Sequence, residues 1–351
     1  MSGKDTIQEE LKQTAEAEAG APTVEEDYAR QISSRKKDKK AKKEKVKKSV
    51  GREILEWVLT IAVAVVAALV IRSFIFELVR VDGGSMQDTL ENGEIMFVSK
   101  FDYSSTWLSL PFQSNNAAEQ APRITFGKPN RLDVVICRYP TRGAVNFVKR
   151  IVGMPGEYVS LKEGYLYING SQLEAEKAIS GIPDEYRKGG IAYKYPLTGG
   201  SYYVPKKGDT VVIGKDGDSV TLKINNNSWD RMQTCLVIKT ADGKTLKLYD
   251  RNTDESSRDS RTYDETTGKK LIYTETVFSY DGKTYTPAEF CELYSNLIGQ
   301  ELTVDEDYYF VMGDHRNNSN DSRSVGALER SAIIGHARSV VFPFNAWKGI
   351  E

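Results

Sequence analysis

The apolar and polar positions divide the chain into one long apolar segment and many short ones. The long segment runs from Ile54 to Phe76, and its central part, Trp57 to Ile71, contains no charged residue. At a rise of about 1.5 Å per residue it forms a helix of roughly 34 Å, long enough to cross a hydrocarbon core of about 30 Å. The pattern therefore predicts one transmembrane helix over residues 54–76.

A buried core helix and a cleaved signal peptide are two further interpretations of this segment. The second fits poorly, because 53 residues precede the segment and no small-residue cleavage site follows it promptly. Residues 30–52 hold twelve bases against two acids, a run that on its own is also typical of a nucleic-acid-binding tail. Beside an apolar helix, the basic excess predicts that residues 1–53 are a disordered cytoplasmic tail that touches anionic membrane lipid. We expect a single-pass protein of the plasma membrane whose residues from 77 onward are extracytoplasmic.

Beyond the apolar segment, short apolar or alternating runs recur, separated by turn-forming pairs such as Asn169-Gly170 and Asp242-Gly243. They predict a mainly β fold built from antiparallel sheets. Residues 286–289, Thr-Pro-Ala-Glu, form a capping box and predict a helix that continues to Ile298. The stretch 171–303 is predicted to be a large inserted lobe between better-marked blocks at 77–170 and 304–351. The predicted strands cover 133–137, 147–152, 158–161, 165–168, 210–213, 220–224, 236–238, 308–311 and 339–342.

Composition narrows the classes of function. With 48 bases and 49 acids the net charge is −1, so the chain as a whole gives no reason to expect a nucleic-acid partner. Two His and three Cys without zinc-type spacing predict neither a metal site nor a disulfide-dense scaffold, and no cofactor motif is present. Cys137 lies in an apolar run, whereas Cys235 and Cys291 are candidates for a disulfide that the sequence does not decide. The oligomeric state is equally undecided by the sequence.

Besides the segment 130–140, which is interpreted as a core strand, three short segments hold candidate chemistry. Two glycines precede Ser85 in Gly83-Gly84-Ser85, which is typical of a plain turn but also lets a ligand approach a serine closely. Lys149 and Arg150 interrupt an apolar strand pattern, and alternation points one of them inward. Either Arg150 pairs with an acid inside while Lys149 faces solvent, or Lys149 is the buried one. The third segment, 312–323, places many short polar residues directly after an apolar strand.

Together these segments resemble the bacterial type I signal peptidases. A membrane helix leads into the box Gly83-Gly84-Ser85-Met86-Gln87-Asp88-Thr89-Leu90. Val148-Lys149-Arg150-Ile151-Val152-Gly153 follows, and then Met312-Gly313-Asp314 with the polar residues after it. The similar blocks span roughly 54–170 and 304–345, and the single cytoplasmic tail and span are similar to the Gram-positive form. The resemblance implies a signal-peptidase-type catalytic domain of antiparallel β structure, a serine endopeptidase that removes signal peptides from exported preproteins.

The resemblance also implies a Ser/Lys dyad. Ser85 attacks the scissile carbonyl, and Lys149 is the base, which requires the amine to be neutral. A free lysine has a pKa of about 10.4 and a useful base one of about 7–8, and burial among apolar neighbours lowers the pKa in this direction. The Ser85 N–H is expected to be an oxyanion donor. The implied supporting residues are Ser319 as hydrogen-bond partner of the Lys149 amine, Arg150 paired with Asp314 or else Asp321, and Asp321 paired with Arg323.

Two positions depart from the family pattern. Many relatives have Ser where this chain has Gly83, and its hydroxyl serves as a second oxyanion donor. Many also have Pro where this chain has Asp88. Losing one oxyanion donor lowers the rate by about a hundredfold or more. A weakly active relative that assists the assembly of surface proteins is therefore a second interpretation of the chain.

The sequence also permits three further interpretations. His315 beside Asp314 permits a Ser-His-Asp mechanism, whereas His336 is interpreted as an ordinary strand or turn residue. Self-cleaving repressors share the Ser/Lys chemistry but require a DNA-binding domain. A membrane-anchored binding module would make the Lys149 segment an ordinary strand.

For the peptidase we expect apolar side chains near Ser85 that touch the membrane, namely Phe74, Phe76, Leu78 and Met86.

Overall fold

The computed structural model describes residues 50–87, 89–106, 123–125, 127–139, 145–162, 165–173, 200–217, 219–252 and 274–350. The predicted cytoplasmic tail and Asp88 lie outside these ranges, except for the few tail residues from Val50.

The apolar segment forms a single helix, α1 (Val50–Phe74). It begins four residues before the predicted start and ends two residues before the predicted end, and Phe76 already belongs to the first strand. The stretch Gly51–Ile71 has a mean hydropathy of 2.7 and is long and apolar enough to cross a membrane. The apolar part of this stretch is not buried against other residues, which argues against a core helix. The residue contacts divide the chain within this helix into two compact units, Met1–Val65 and Val66–Glu351.

The second unit is built mainly of β-strands, as the alternating runs predict. In chain order the first strands are β1 (Phe76–Arg80), β2 (Ile95–Ser99), β3 (Ser104–Thr106), β4 (Arg123–Thr125), β5 (Val134–Cys137), β6 (Phe147–Gly153), β7 (Tyr158–Lys162), β8 (Tyr165–Ile168), β9 (Ser171–Gln172), β10 (Tyr202–Tyr203) and β11 (Thr210–Asp216). The remaining strands are β12 (Ser219–Ile224), β13 (Asn227–Ser228), β14 (Leu236–Lys239), β15 (Thr245–Asn252), β16 (Thr274–Tyr280), β17 (Lys283–Tyr285), β18 (Glu301–Val304), β19 (Tyr308–Met312), β20 (Leu328–Glu329), β21 (Ile333–Phe342) and β22 (Lys348–Gly349).

Two short helices accompany the strands, α2 (Pro287–Leu293) and α3 (Ser322–Val325). The predicted capping box starts α2: the Thr286 hydroxyl accepts from the Glu289 N–H, and the Glu289 carboxylate accepts from the Thr286 N–H. The helix ends at Leu293, earlier than predicted, and a 3₁₀ turn over Ser295–Leu297 takes its place.

The sheet that carries the candidate chemistry has the order β1-β2-β21-β5-β6-β19-β20, with β22 paired to β21. All its neighbouring strands run antiparallel. One core lies against Val135, Cys137 and Ile151, and another against Val134 and Ile136. Because adjacent residues of β5 contribute to different cores, the centre of this sheet is covered on both faces.

The residues of the predicted inserted lobe form most of a second large sheet, in the order β13-β12-β11-β18-β14-β15-β16-β17. A smaller sheet, β10-β7-β8-β9, joins residues from both sides of the predicted boundary at 171. The core of the lobe is shared with the neighbouring blocks, because Val211 and Leu236 pack in one cluster with Val152 and Phe310. The three cysteines are buried free thiols, so Cys235 and Cys291 do not pair.

Candidate active site

Ser85 lies in a tight turn between β1 and β2. Its neighbours Met86 and Leu90 are buried and hold the turn on the sheet. Met86 is therefore not a membrane-facing side chain, and that expectation is wrong; Leu78 is exposed, as expected. Gly83 has φ +99°, a region that favours glycine, although a Cβ there would meet open space. The backbone of the turn, and not crowding, thus favours glycine at position 83.

Lys149 reaches Ser85 from the middle of β6. Its Nζ lies 2.8 Å from Ser85 Oγ and donates to Val148 O at 2.8 Å. The Phe147 ring lies beneath the amine, with its centroid 5.8 Å from Nζ. The residue is only 2% exposed. The structure therefore brings together the two residues expected to be nucleophile and base, which are 64 positions apart in the chain.

The surroundings of Lys149 favour the neutral amine. Burial lowers the pKa of Lys149, because the charged form loses its hydration, and the positive charge of Arg323 acts in the same direction. The nearby Cys137, Asp321 and Asp314 act in the opposite direction, but burial outweighs them. A neutral amine has a lone pair that accepts the proton of a serine hydroxyl.

Strand alternation suggested that only one of Lys149 and Arg150 points inward, and this is wrong, since both are buried. The physical reason is that the sheet is covered on both faces. On the face opposite Lys149, Arg150 forms a fully buried ion pair with Asp314, with Nη2 and Oδ2 2.8 Å apart, and donates to Leu132 O at 2.8 Å. The Thr89 hydroxyl donates to the same carboxylate at 2.6 Å and so ties the serine turn to the Asp314 segment.

The segment after β19 closes around the serine turn. The His315 N–H donates to Ser85 O at 3.1 Å, and the ring nitrogen Nδ1 lies 3.2 Å from Gly84 O. A Cβ at Gly313 would lie 2.2 Å from Ser319 Oγ and 2.4 Å from Ser85 O, so only glycine permits this approach. The hydroxyl of Ser85 is directed to Lys149, while the His315 ring is directed to the backbone.

The Asp321 carboxylate is buried and accepts hydrogen bonds from Arg323, Ser319 and Gly313. Burial raises its pKa, but the Arg323 charge and the hydrogen bonds from Arg323, Ser319 and Gly313 outweigh burial and hold the pKa below its usual value. The Arg323 guanidinium lies 2.7 Å from Asp321 Oδ1. The Ser319 hydroxyl donates to Asp321 Oδ2 at 2.6 Å, whereas Lys149 contacts Ser85 and Val148. The expected bond between Ser319 and Lys149 is therefore not formed among the described residues.

His336 lies elsewhere, on β21. It is buried between Asp102 and Asp133, and its ring stacks on Tyr103 with centroids 5.2 Å apart.

Sequence reasoning did not single out Thr89, Gly313 or the Val148 carbonyl. The first two stand inside motif boxes, which was the available signal; a backbone carbonyl leaves no signal in a sequence.

The mainly antiparallel β structure thus brings a serine hydroxyl beside a buried amine of lowered pKa. Comparisons with known proteins show that the chain is a serine peptidase. A family model described as "Signal peptidase, peptidase S26" matches residues 54–342. The chain therefore belongs to the signal peptidase family, peptidase S26.

Individual relatives cover parts of the chain. Signal peptidase I of Pseudomonas aeruginosa is 40% identical over 116 residues, which are 33% of this chain and 37% of that protein. Signal peptidase I T of Bacillus subtilis is 36% identical over 156 residues, which are 44% of this chain and 68% of that protein. The match thus spans less than two fifths of the Pseudomonas relative's length. A crystal structure of a signal peptidase I from Enterococcus faecalis V583 is 20% identical, with a TM-score of 0.21, and the match covers 60% of this chain and 96% of that one.

Proposed function

We propose that this protein is a membrane-bound serine endopeptidase that removes N-terminal signal peptides from exported preproteins with Ser85 and Lys149 as a dyad. The observation that carries the proposal is the 2.8 Å contact between Lys149 Nζ and Ser85 Oγ at a buried amine whose pKa is lowered. Membership of the signal peptidase family supplies the reaction class.

The chemistry follows from this contact. Ser85 Oγ attacks the scissile carbonyl carbon while its proton passes to Lys149 Nζ. The Lys149 ammonium then gives the proton to the leaving amine, the C–N bond breaks, and an ester to Ser85 remains. A water molecule attacks the ester with Lys149 again taking the proton, which is returned to Ser85 Oγ as the new carboxyl end is released. In this mechanism the Ser85 N–H stabilises the oxyanion of both tetrahedral intermediates.

The membrane segment supports exported preproteins as the substrate. A signal peptide has an apolar segment that enters the same bilayer as α1. Tethering by α1 therefore raises the effective concentration of the scissile bond near Ser85. The proposed orientation places the basic tail in the cytoplasm and the β domain outside the plasma membrane, from the charge distribution of the sequence.

The test is cleavage of a preprotein by the full-length protein in lipid vesicles, with sequencing of the product's new N-terminus. We expect a single cut after a small residue. Ser85→Ala and Lys149→Met should each lower the rate about a thousandfold or more. Lys239→Met is the matched control, since the same substitution is made at an exposed lysine on β14, and it should leave the rate unchanged. Substantial cleavage by Lys149→Met would exclude the dyad.

A further inference from the structure

The carbonyl oxygen of Gly84 is held by two donors. The ring of His315 lies with Nδ1 3.2 Å from this oxygen, and the Gln87 N–H donates to it at 3.2 Å. A carbonyl oxygen only accepts hydrogen bonds, so this contact is a hydrogen bond in the tautomer of His315 that carries the proton on Nδ1. The backbone N–H of the same histidine holds the next carbonyl, that of Ser85, at 3.1 Å. One residue therefore fixes two consecutive carbonyls of the serine turn.

The Gly84 carbonyl and the Ser85 N–H belong to the same peptide unit. A trans peptide is planar, and its oxygen and its N–H point in opposite directions. Fixing the oxygen from one side consequently fixes the direction of the N–H on the other side. In the structure the Ser85 N–H donates no hydrogen bond to any described residue, so it is available to a ligand.

This peptide unit needs an anchor more than most. It follows two glycines, which permit rotations of the peptide plane that a side chain would resist. Gly83 has no hydroxyl to donate, and its N–H is already given to Asn92 Oδ1 at 3.0 Å. Gly83 therefore supplies no donor to the oxyanion, and an error in the direction of the Ser85 N–H is not compensated by Gly83.

We infer that His315 is a positioning residue that aims the Ser85 N–H at the oxyanion by holding the Gly84 carbonyl. The inference rests on the proposed function, since it concerns the rate of the same reaction. It assigns no proton transfer to His315 and distinguishes this residue from a general base.

The test uses two substitutions of nearly identical shape. Asn carries an amide nitrogen on Cγ, at the place where His carries Nδ1, whereas Leu places a methyl group there and has no donor. We expect His315→Asn to keep kcat within about threefold and His315→Leu to lower kcat about 10- to 100-fold, with KM within about threefold for both. The affinity for a peptide boronic acid, which forms a tetrahedral adduct with the Ser85 hydroxyl, should fall in His315→Leu by about the same factor as kcat. Thermal melting of both variants reports on folding.

The outcomes separate the inference from the proposed function. If the unsubstituted protein does not cleave, or cleaves as well with Ser85→Ala, the proposed function fails and the inference with it. If cleavage depends on Ser85 but the Asn and Leu variants have equal kcat, only the positioning role is overturned. Loss of activity in His315→Asn with an unchanged melting temperature would show that a donor to the Gly84 carbonyl is not what His315 supplies and would also overturn the inference.

Discussion

At the scale of single residues, the protonation of the Lys149 amine makes the stability of the fold depend on pH. Its pKa is lowered by burial, so over the pH range between this pKa and the unfolded value of about 10.4 the unfolded chain binds more protons than the folded one. The free energy of unfolding contributed by this residue therefore rises with pH in that range and is lost as the pH falls through it.

We expect Lys149→Met to flatten this rise. Urea unfolding of the parent protein and the variant between pH 7 and pH 10 would measure it, because the difference between them isolates the lysine. The stability of the variant relative to the parent should therefore be higher at pH 7 than at pH 10. Lys239→Met, at an exposed position, should follow the parent at every pH. Parallel curves for parent and Lys149→Met would mean that the amine is hydrated in the folded protein.

Gly313 offers a second test at the residue scale. An alanine Cβ there would lie 2.4 Å from Ser85 O and would push the serine turn away from Lys149. We expect Gly313→Ala to lower cleavage about a hundredfold or more and stability by about 1–3 kcal/mol. Gly349→Ala is the control, since its Cβ would meet open space. An active Gly313→Ala would show that the approach of the two segments is not needed for the reaction.

At the scale of elements, β6 is joined to the segment after β19 by the buried pair of Arg150 and Asp314. Removing one partner leaves a buried charge, so Asp314→Leu should lower the unfolding free energy by about 3–5 kcal/mol. The double variant Arg150→Met with Asp314→Leu should recover much of this loss. Denaturant unfolding of the two single variants and the double variant measures the coupling.

An exposed ion pair provides the comparison. Lys244 and Asp281 lie 3.1 Å apart on the surface, and Asp281→Asn should change stability by less than about 1 kcal/mol. If the Asp314 variants behaved like this surface pair, Arg150 would have to find new partners or water when Asp314 is absent.

At the scale of the whole molecule, we expect the β domain to carry the cleavage activity and α1 to hold it near membrane-embedded substrates. We expect a variant that lacks residues 1–71 to cleave a soluble peptide at a rate close to that of the full chain, and a preprotein embedded in vesicles at least about tenfold more slowly. The soluble peptide serves as the internal control for folding. Equal rates on the embedded preprotein would show that tethering by α1 contributes nothing.

The features of the fold and the site that could be predicted from the sequence are those set by residues close together in the chain. Local patterns sufficed for α1, for the capping box of α2 and for strands such as β6, because these follow from neighbouring residues. The burial of both Lys149 and Arg150 was not predictable from alternation, since it requires a cover that includes Asp314, 164 positions after Arg150. Ser319 was assigned to Lys149 by resemblance alone, and Asp321, two residues further on, takes its hydroxyl instead.

The contacts of the serine turn have a consequence for the protein's own synthesis. The turn is made early, but His315, which braces it, follows Gly84 by 231 positions and leaves the ribosome correspondingly later. A nascent chain that already contains Ser85 and Lys149 still lacks this contact. Full activity should therefore appear only after the segment that contains His315 has emerged and folded.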